Sequence, residues 1–322
     1  SGLNALKGIV NNRKNWKNEI NISPLTTFLG AEIAGVDLRH LNASLIQEIK
    51  NVLHQYSAVF FRDQPELSPA EHTDLASAFG PVFPHPFNPR GSDFPGIINL
   101  EAGPDSKKTA ATKWHQDVTC DKEPCYLSIL QMHEIPPVGG DTVFSSLYAA
   151  YEALSPRIKQ LLDGLTARHD GAKTYSFLRG LSEEPNYRDG HPEAVHPVVI
   201  RDHGSGRPAL FVNREFTAEL NELPWGESEA LLKFLFDHTE GADFQCRFRW
   251  SPNAVAIWDN RGIQHKGTHD YWPHVRTGRL AGVCGPVLEM WRLEEVPSTS
   301  NLKENKMEDV IVYPHGFSKM DK

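Results

Sequence analysis

Apolar residues along this chain follow two rhythms, one of helices and one of strands. Leu45, Ile46, Ile49, Val52 and Leu53 recur at helical spacing after Asn42, a residue type that caps helix starts. Pro69–Phe79, 155–165 and 226–238 are also predicted as helices, the last with one apolar face. The other rhythm has period two. Phe244, Cys246, Phe248 and Trp250 alternate with Gln245, Arg247 and Arg249, the pattern of a half-buried strand. Residues 57–62, 126–133, 209–213, 254–258 and 279–284 read as further strands, and 24–38 as strand, glycine turn, strand.

The polar intervals are as informative. Residues 136–140 are a proline–glycine turn. The proline-rich segment 80–91 is long and aromatic enough to form a pocket wall. Residues 169–194 are irregular, polar and aromatic, and are punctuated by Gly171, Gly180 and Gly190, which suits a lid. Residues 1–20 read as a polar arm, 21–296 as one domain, and 297–322 as a charged tail. Many short strands with helices at the start and in one insert predict a mainly β fold with α additions, a sandwich or jelly roll. No internal repeat and no glycine-rich phosphate loop is present.

Composition narrows the function. A net charge of −8 argues against nucleic-acid binding, which needs a basic patch. No apolar run reaches membrane-spanning length, so no membrane partner is expected and the expected location is cytoplasmic. The four cysteines have no zinc spacing and are too few for a disulfide scaffold. Structural roles are expected, with oxidation near a metal as the rival reading for Cys120 and Cys125.

The chemistry is concentrated in Trp114-His115-Gln116-Asp117 and, about 150 residues later, Trp258-Asp259-Asn260-Arg261 and His265. On a strand, His115 and Asp117 would point to one face. A distant imidazole would complete two histidines and one carboxylate, the open triad diagnostic of non-haem Fe(II) oxygenases. Downstream, Arg276 and Arg279 lie on an apolar strand. An arginine facing such an interior needs an anion to offset its burial, and its planar fork suits a carboxylate. Open metal and clamp together describe iron with a keto-acid co-substrate.

With these residues the chain resembles the TauD/TfdA family of Fe(II)- and 2-oxoglutarate-dependent oxygenases. The resemblance spans about 22–285 and includes Gly139-Gly140-Asp141-Thr142, Leu210-Phe211-Val212-Asn213 and Asp270-Tyr271. It implies a double-stranded β-helix (jelly-roll, cupin-like) core flanked by helices and a lid insert. It implies His115, Asp117 and His265 as iron ligands, with Thr142 and Arg276 on the distal carboxylate of 2-oxoglutarate. Arg276 stands at the family's usual offset after His265. O2 would be the third reactant, and succinate and CO2 products. Related enzymes commonly assemble, so a homo-oligomer is expected.

The resemblance also implies a small anionic substrate, such as a sulfonate, sulfate ester or carboxylate. His85 matches a substrate-binding histidine of taurine-cleaving members. Their asparagine falls on Ala111, their tyrosine near Asn88, and their second arginine one residue beyond Arg279. Val118, Phe211, Tyr175, Phe87, Phe177 and Arg90 are the remaining pocket candidates. Substrate oxidation would be hydroxylation, with C–S or C–O cleavage where the product is unstable. Desaturation or cyclisation in a biosynthetic enzyme is an alternative, and a non-catalytic jelly-roll binding protein a further one.

Overall fold

Apolar periodicity is converted into packed layers in the computed structural model, which describes residues 20–86, 93–106, 111–172, 174–175 and 191–293. The first part runs β1 (Asn21–Pro24), β2 (Ala31–Ala34), α1 (Ala43–Tyr56), β3 (Ala58–Phe61), α2 (Pro69–Phe79), β4 (Val82–Phe83) and β5 (Ile97–Ala102). There follow β6 (Leu127–Met132), β7 (Thr142–Ser146), α3 (Leu147–Ala153), α4 (Pro156–Leu162), β8 (Thr166–Asp170) and β9 (Glu193–Pro197). The rest is β10 (Val199–Arg201), β11 (Pro208–Leu210), β12 (Thr217–Leu220), α5 (Trp225–Thr239), β13 (Gln245–Phe248), β14 (Val255–Asp259), β15 (Ile263–Gly267), β16 (Arg276–Val283) and β17 (Glu289–Met290).

Local chemistry sets the early helices. Asn42 Oδ1 accepts the Leu45 N–H at 2.9 Å, and Ser57, in a left-handed conformation, ends α1. Ser68 and Glu71 form a reciprocal capping box on α2, with Pro69 in its first turn. Both helices bury their apolar faces on the main sheet. That core holds Ile49, Val52, Leu53 and Leu75 from the helices and Val59, Ile129, Ile257 and Ala281 from the strands.

The main sheet has the order β1-β2-β3-β14-β6-β16-β4, with β5 also on β16. A smaller antiparallel sheet, β13-β7-β15, contributes to its other face. Phe60, Leu130, Ala256 and Trp258 of the main sheet share one core with Phe144, Phe248 and Ile263 of the smaller one. Two antiparallel-rich sheets closed over an apolar layer are the expected jelly roll. Two three-stranded sheets, β12-β8-β9 and β11-β10-β17, are added.

Several expectations need correction. The helix at 155–165 is only α4, and α3 lies directly before it. The strand at 209–213 stops at Leu210, because Asn213 folds its side chain onto the Phe216 N–H and gives its own N–H to Thr217 Oγ1. The ends of the 169–194 insert are not irregular: β8 and β9 pair His169 with Ala194 and Asp170 with Glu193. β16 begins at Arg276, earlier than expected. Phe87, Asn88, Arg90, Phe177, Gly180, Gly190, residues 1–19 and the tail from 297 lie outside the described residues. The described residues up to Trp291 belong to one compact unit. Among the described residues no helix is long and apolar enough to cross a membrane.

Candidate metal centre

β15 pairs with β7 so that His265 stands opposite Phe144. On its other side His265 meets His115 in a one-residue bridge. The His115 N–H donates to the His265 carbonyl at 3.0 Å and the His265 N–H to the His115 carbonyl at 2.8 Å. This reciprocal pair sets the two imidazoles 4.3 Å apart, centroid to centroid. No strand continues from His115, as the motif had suggested. The chain turns at once, with Val118 at φ +57° and the Asp121 N–H on the Val118 carbonyl. The alternation survives nonetheless. Gln116 points away, donating to the carbonyls of Asn260 and Arg261, while Asp117 returns to the side of His115.

Asp117 Oδ1 lies 3.4 Å from His115 Nε2 and 3.8 Å from His265 Nε2. All three potential ligand atoms lie within 4.8 Å of one another, and among the described residues this is the only such group. Asp117 Oδ2 is occupied separately, accepting the Ser128 hydroxyl at 2.6 Å. Nδ1 of His115 is 2.9 Å from the Lys113 carbonyl, which fixes the proton there and leaves the Nε2 lone pair inward. Burial, and then the neighbouring His115, push His265 down to about 3, so it is neutral. Burial alone would raise Asp117, but His265, His115 and the Ser128 hydroxyl outweigh it and hold the carboxyl well below its ordinary value. Burial opposes charge on His115 as well, and the Asp117 carboxylate raises its pKa. A buried carboxylate with no arginine or lysine partner among the described residues, facing two imidazole nitrogens, is a fitting donor set for a divalent first-row metal. The Trp258 ring, 4.7 Å from that of His265, and Phe144 wall the site from behind.

The start of β16 carries a cation without a carboxylate. Arg276 Nε donates to the Gly140 carbonyl at 3.0 Å, and among the described residues no acid pairs with its guanidinium. Burial lowers its pKa. Gly139 and Gly140 turn the chain here at φ +73° and +71°. A Cβ on Gly140 would come within 2.7 Å of Pro136, and one on Gly139 within 2.5 Å of Asp270 Oδ1, so the pair is sterically required. Two residues on, Thr142 Oγ1 accepts from Trp250 Nε1 at 3.0 Å, which leaves its own proton for another acceptor.

The residues expected on the substrate side are divided between two cores and the opposite face of the sheet. Val118 and Tyr175 are buried together with Phe83, Cys120, Cys125 and Phe216. His85 is pushed down to about 4 by burial, with the field of Asp117 opposing. Phe211 is fully buried in a different core, its ring 5.7 Å from His169 and 5.5 Å from His196, so it packs rather than lines this cluster. Arg279 is a correction. It donates to the Leu67 carbonyl and, at 3.1 Å, to Glu66, on the helix-covered face of the sheet. Asn88 lies outside the described residues. Burial raises the Cys120 and Cys125 thiols to about 12, which removes the thiolate that oxidation would require.

Ser128 and Asn260 had not been anticipated as parts of the site. Asn260 Oδ1 accepts the Asp117 N–H at 2.8 Å, and its Nδ2 donates to the Asp117 carbonyl at 2.9 Å. Asn260 stands within the quoted motif block without a role, and the available signal for Ser128 was a serine in a mainly apolar strand.

Residues 21–284 match the model of a family described as taurine catabolism dioxygenase TauD, TfdA. The chain belongs to the TauD, TfdA family. An α-ketoglutarate-dependent sulfate ester dioxygenase of Pseudomonas putida is 30% identical, over 84% of this chain and 91% of its own. The α-ketoglutarate-dependent dioxygenase cnsM of Penicillium expansum is 32% identical, over 88% and 81% respectively. A taurine dioxygenase structure from Burkholderia xenovorans superposes with a TM-score of 0.72 at 30% identity, covering 84% of this chain and 93% of that one. By this membership the chain is a 2-oxoglutarate-dependent dioxygenase with a jelly-roll core.

Proposed function

We propose that this TauD, TfdA family member holds Fe(II) on His115, Asp117 and His265 and oxidises a small anionic organic molecule. The observation that carries the reading is three inward donor atoms within 4.8 Å of one another, together with the half-buried Arg276, which pairs with no acid among the described residues. Bound iron and 2-oxoglutarate supply oxygen activation, the keto acid being decarboxylated to succinate and CO2 as the substrate is oxidised. The chain's own residues bind and orient. Arg276, its Nε held by Gly140, presents its remaining N–H groups to the distal carboxylate of 2-oxoglutarate, and Thr142 adds its hydroxyl. Desolvation strengthens that charge-assisted contact. Trp258 and Phe144 exclude water behind His265.

An anionic substrate is supported by the relatives, one of which is named for sulfate esters. With Arg279 engaged elsewhere, His85 and the Tyr175 hydroxyl are described polar groups on the substrate side; the low pKa of His85 makes it a neutral hydrogen-bonding partner. The test is a panel of sulfonates, sulfate esters, carboxylates and amines of matched size, read by succinate release and product mass. Substrate-dependent succinate with a gain of one oxygen, or with cleavage, is expected for an acid of the panel. Best coupling by an amine lacking any acid would overturn the substrate class. Loss of two hydrogens would replace hydroxylation by desaturation.

A further inference from the structure

Asp117 is followed by a residue that should not adopt its conformation easily. Val118 stands at φ +57°, where a β-branched side chain crowds the backbone and where glycine is at ease. Such strain persists only when the surroundings enforce it. Part of the enforcement is apolar, since the Val118 side chain is buried among Phe83, Cys120, Cys125, Tyr175 and Phe216. The polar part comes from one side chain on the far motif. Asn260 is buried, and its amide takes the Asp117 N–H at 2.8 Å while giving N–H groups to the carbonyls of Asp117 at 2.9 Å and Cys125 at 3.3 Å. Its backbone points the same way. The Asn260 N–H donates to the Tyr126 carbonyl, and its carbonyl accepts from Gln116 Nε2 at 3.2 Å. Each of its polar groups is thus bound to segment 116–126.

We infer that Asn260 is a positioning residue: its amide grips both backbone groups of Asp117, holds the left-handed step at Val118, and so aims the Asp117 carboxylate at the two imidazoles. This rests on the reading of Asp117 as a metal ligand. The role demands an acceptor and two donors on one short side chain. Aspartate supplies only acceptors and alanine supplies neither. Without the grip, Val118 relaxes toward negative φ. That rotates the turn and with it the direction of Asp117, whose only other described side-chain anchor outside the triad is Ser128.

The experiment titrates Mn(II) into the metal-free full-length protein by calorimetry, with thermal melting of the same samples. Asn260→Ala should weaken Mn(II) binding about ten- to a hundredfold, the usual effect of removing a support of a metal ligand. The double variant Val118→Gly/Asn260→Ala should recover much of that loss, since glycine needs no enforcement at this φ. A residue that merely held the fold together would give the opposite result, because adding glycine would loosen the turn further. Should Asn260→Ala fail to fold, Asn260→Asp keeps the shape and the acceptor, and should still weaken Mn(II). Wild-type affinity in the folded Asn260 variant, or a double variant no better than Asn260→Ala, overturns the inference. Asp117→Ala separates the two levels. If it binds Mn(II) like wild type, the triad itself is wrong; if it does not, and Asn260→Ala still binds normally, only the positioning role falls.

Discussion

Arg276 and Arg279 are three residues apart on β16 and have opposite fates. Arg276 faces the interior between the sheets, fixed by one backbone carbonyl and unpaired with any described acid. Arg279 faces the helices, where the Leu67 carbonyl and Glu66 satisfy it. An odd separation on a strand reverses the face. Two similar cations therefore divide into one left available to a ligand and one consumed by the fold. On this sheet, the face with unspent polar capacity is the chemical face.

The sharpest break of that contrast is at the triad. Asp117→Ala or His265→Ala should abolish stoichiometric iron and lower succinate formation roughly a thousandfold, as expected when several kcal/mol of coordination are lost. Near-normal turnover in either variant sinks the assignment. The two arginines come next. Arg276→Ala should raise the apparent dissociation constant of 2-oxoglutarate about ten- to a hundredfold, because a charge-assisted bond contributes about 1.5–3 kcal/mol. Arg279→Ala should leave that constant unchanged, and an equal effect in both would erase the difference between the faces.

A pH experiment tests whether unspent charge always belongs to the chemical face. Asp259, at the end of β14, is a buried acid whose Oδ2 accepts from Tyr148 at 2.7 Å, with no lysine or arginine in ion-pair contact among the described residues. Burial, then the charge of Asp202, raise it to about 6. A raised acid means that the native state binds the proton more tightly than the unfolded chain. Stability from this group is therefore present at pH 4 and lost as pH rises to about 6, by on the order of 2–3 kcal/mol. Asp259→Asn should flatten that slope in urea unfolding between pH 4 and 7. An unaltered slope means that Asp259 is not the group responsible. The smallest effect belongs to the helix-covered face: Arg279→Ala should cost about 1 kcal/mol and lower Tm by about 2–4 °C while preserving the substrate preference. A lost preference for acids would return Arg279 to the substrate site.

Much of this was legible where one periodicity and one cap coincide. α1 starts after Asn42, α2 has the expected bounds, and β13 buries Cys246 and Phe248 alternately as its pattern requires. His115 and Asp117 were legible as metal-ligand candidates from their spacing, and His265 from the family resemblance. The face of Arg279 was not, because it depends on the register of β16 with β5 and β6, a property of three strands together. Strands β5 and β8 escaped notice because Asn99, Glu101, Arg168 and Asp170 interrupt any apolar rhythm. The turn after His115 was hidden by Val118, a strand-forming residue held in a conformation it disfavours.

The reciprocal bridge between His115 and His265 also sets a timetable for synthesis. Its two halves are 150 positions apart in the chain, and neither half has a second histidine ligand until the other arrives. A ribosome-bound nascent chain that has exposed β3, β6 and β7 but not β15 holds only His115 and Asp117 of the triad. On the proposed triad, tight metal capture would report that the late strands have docked, and metal added to stalled chains of increasing length would time the completion of the jelly roll.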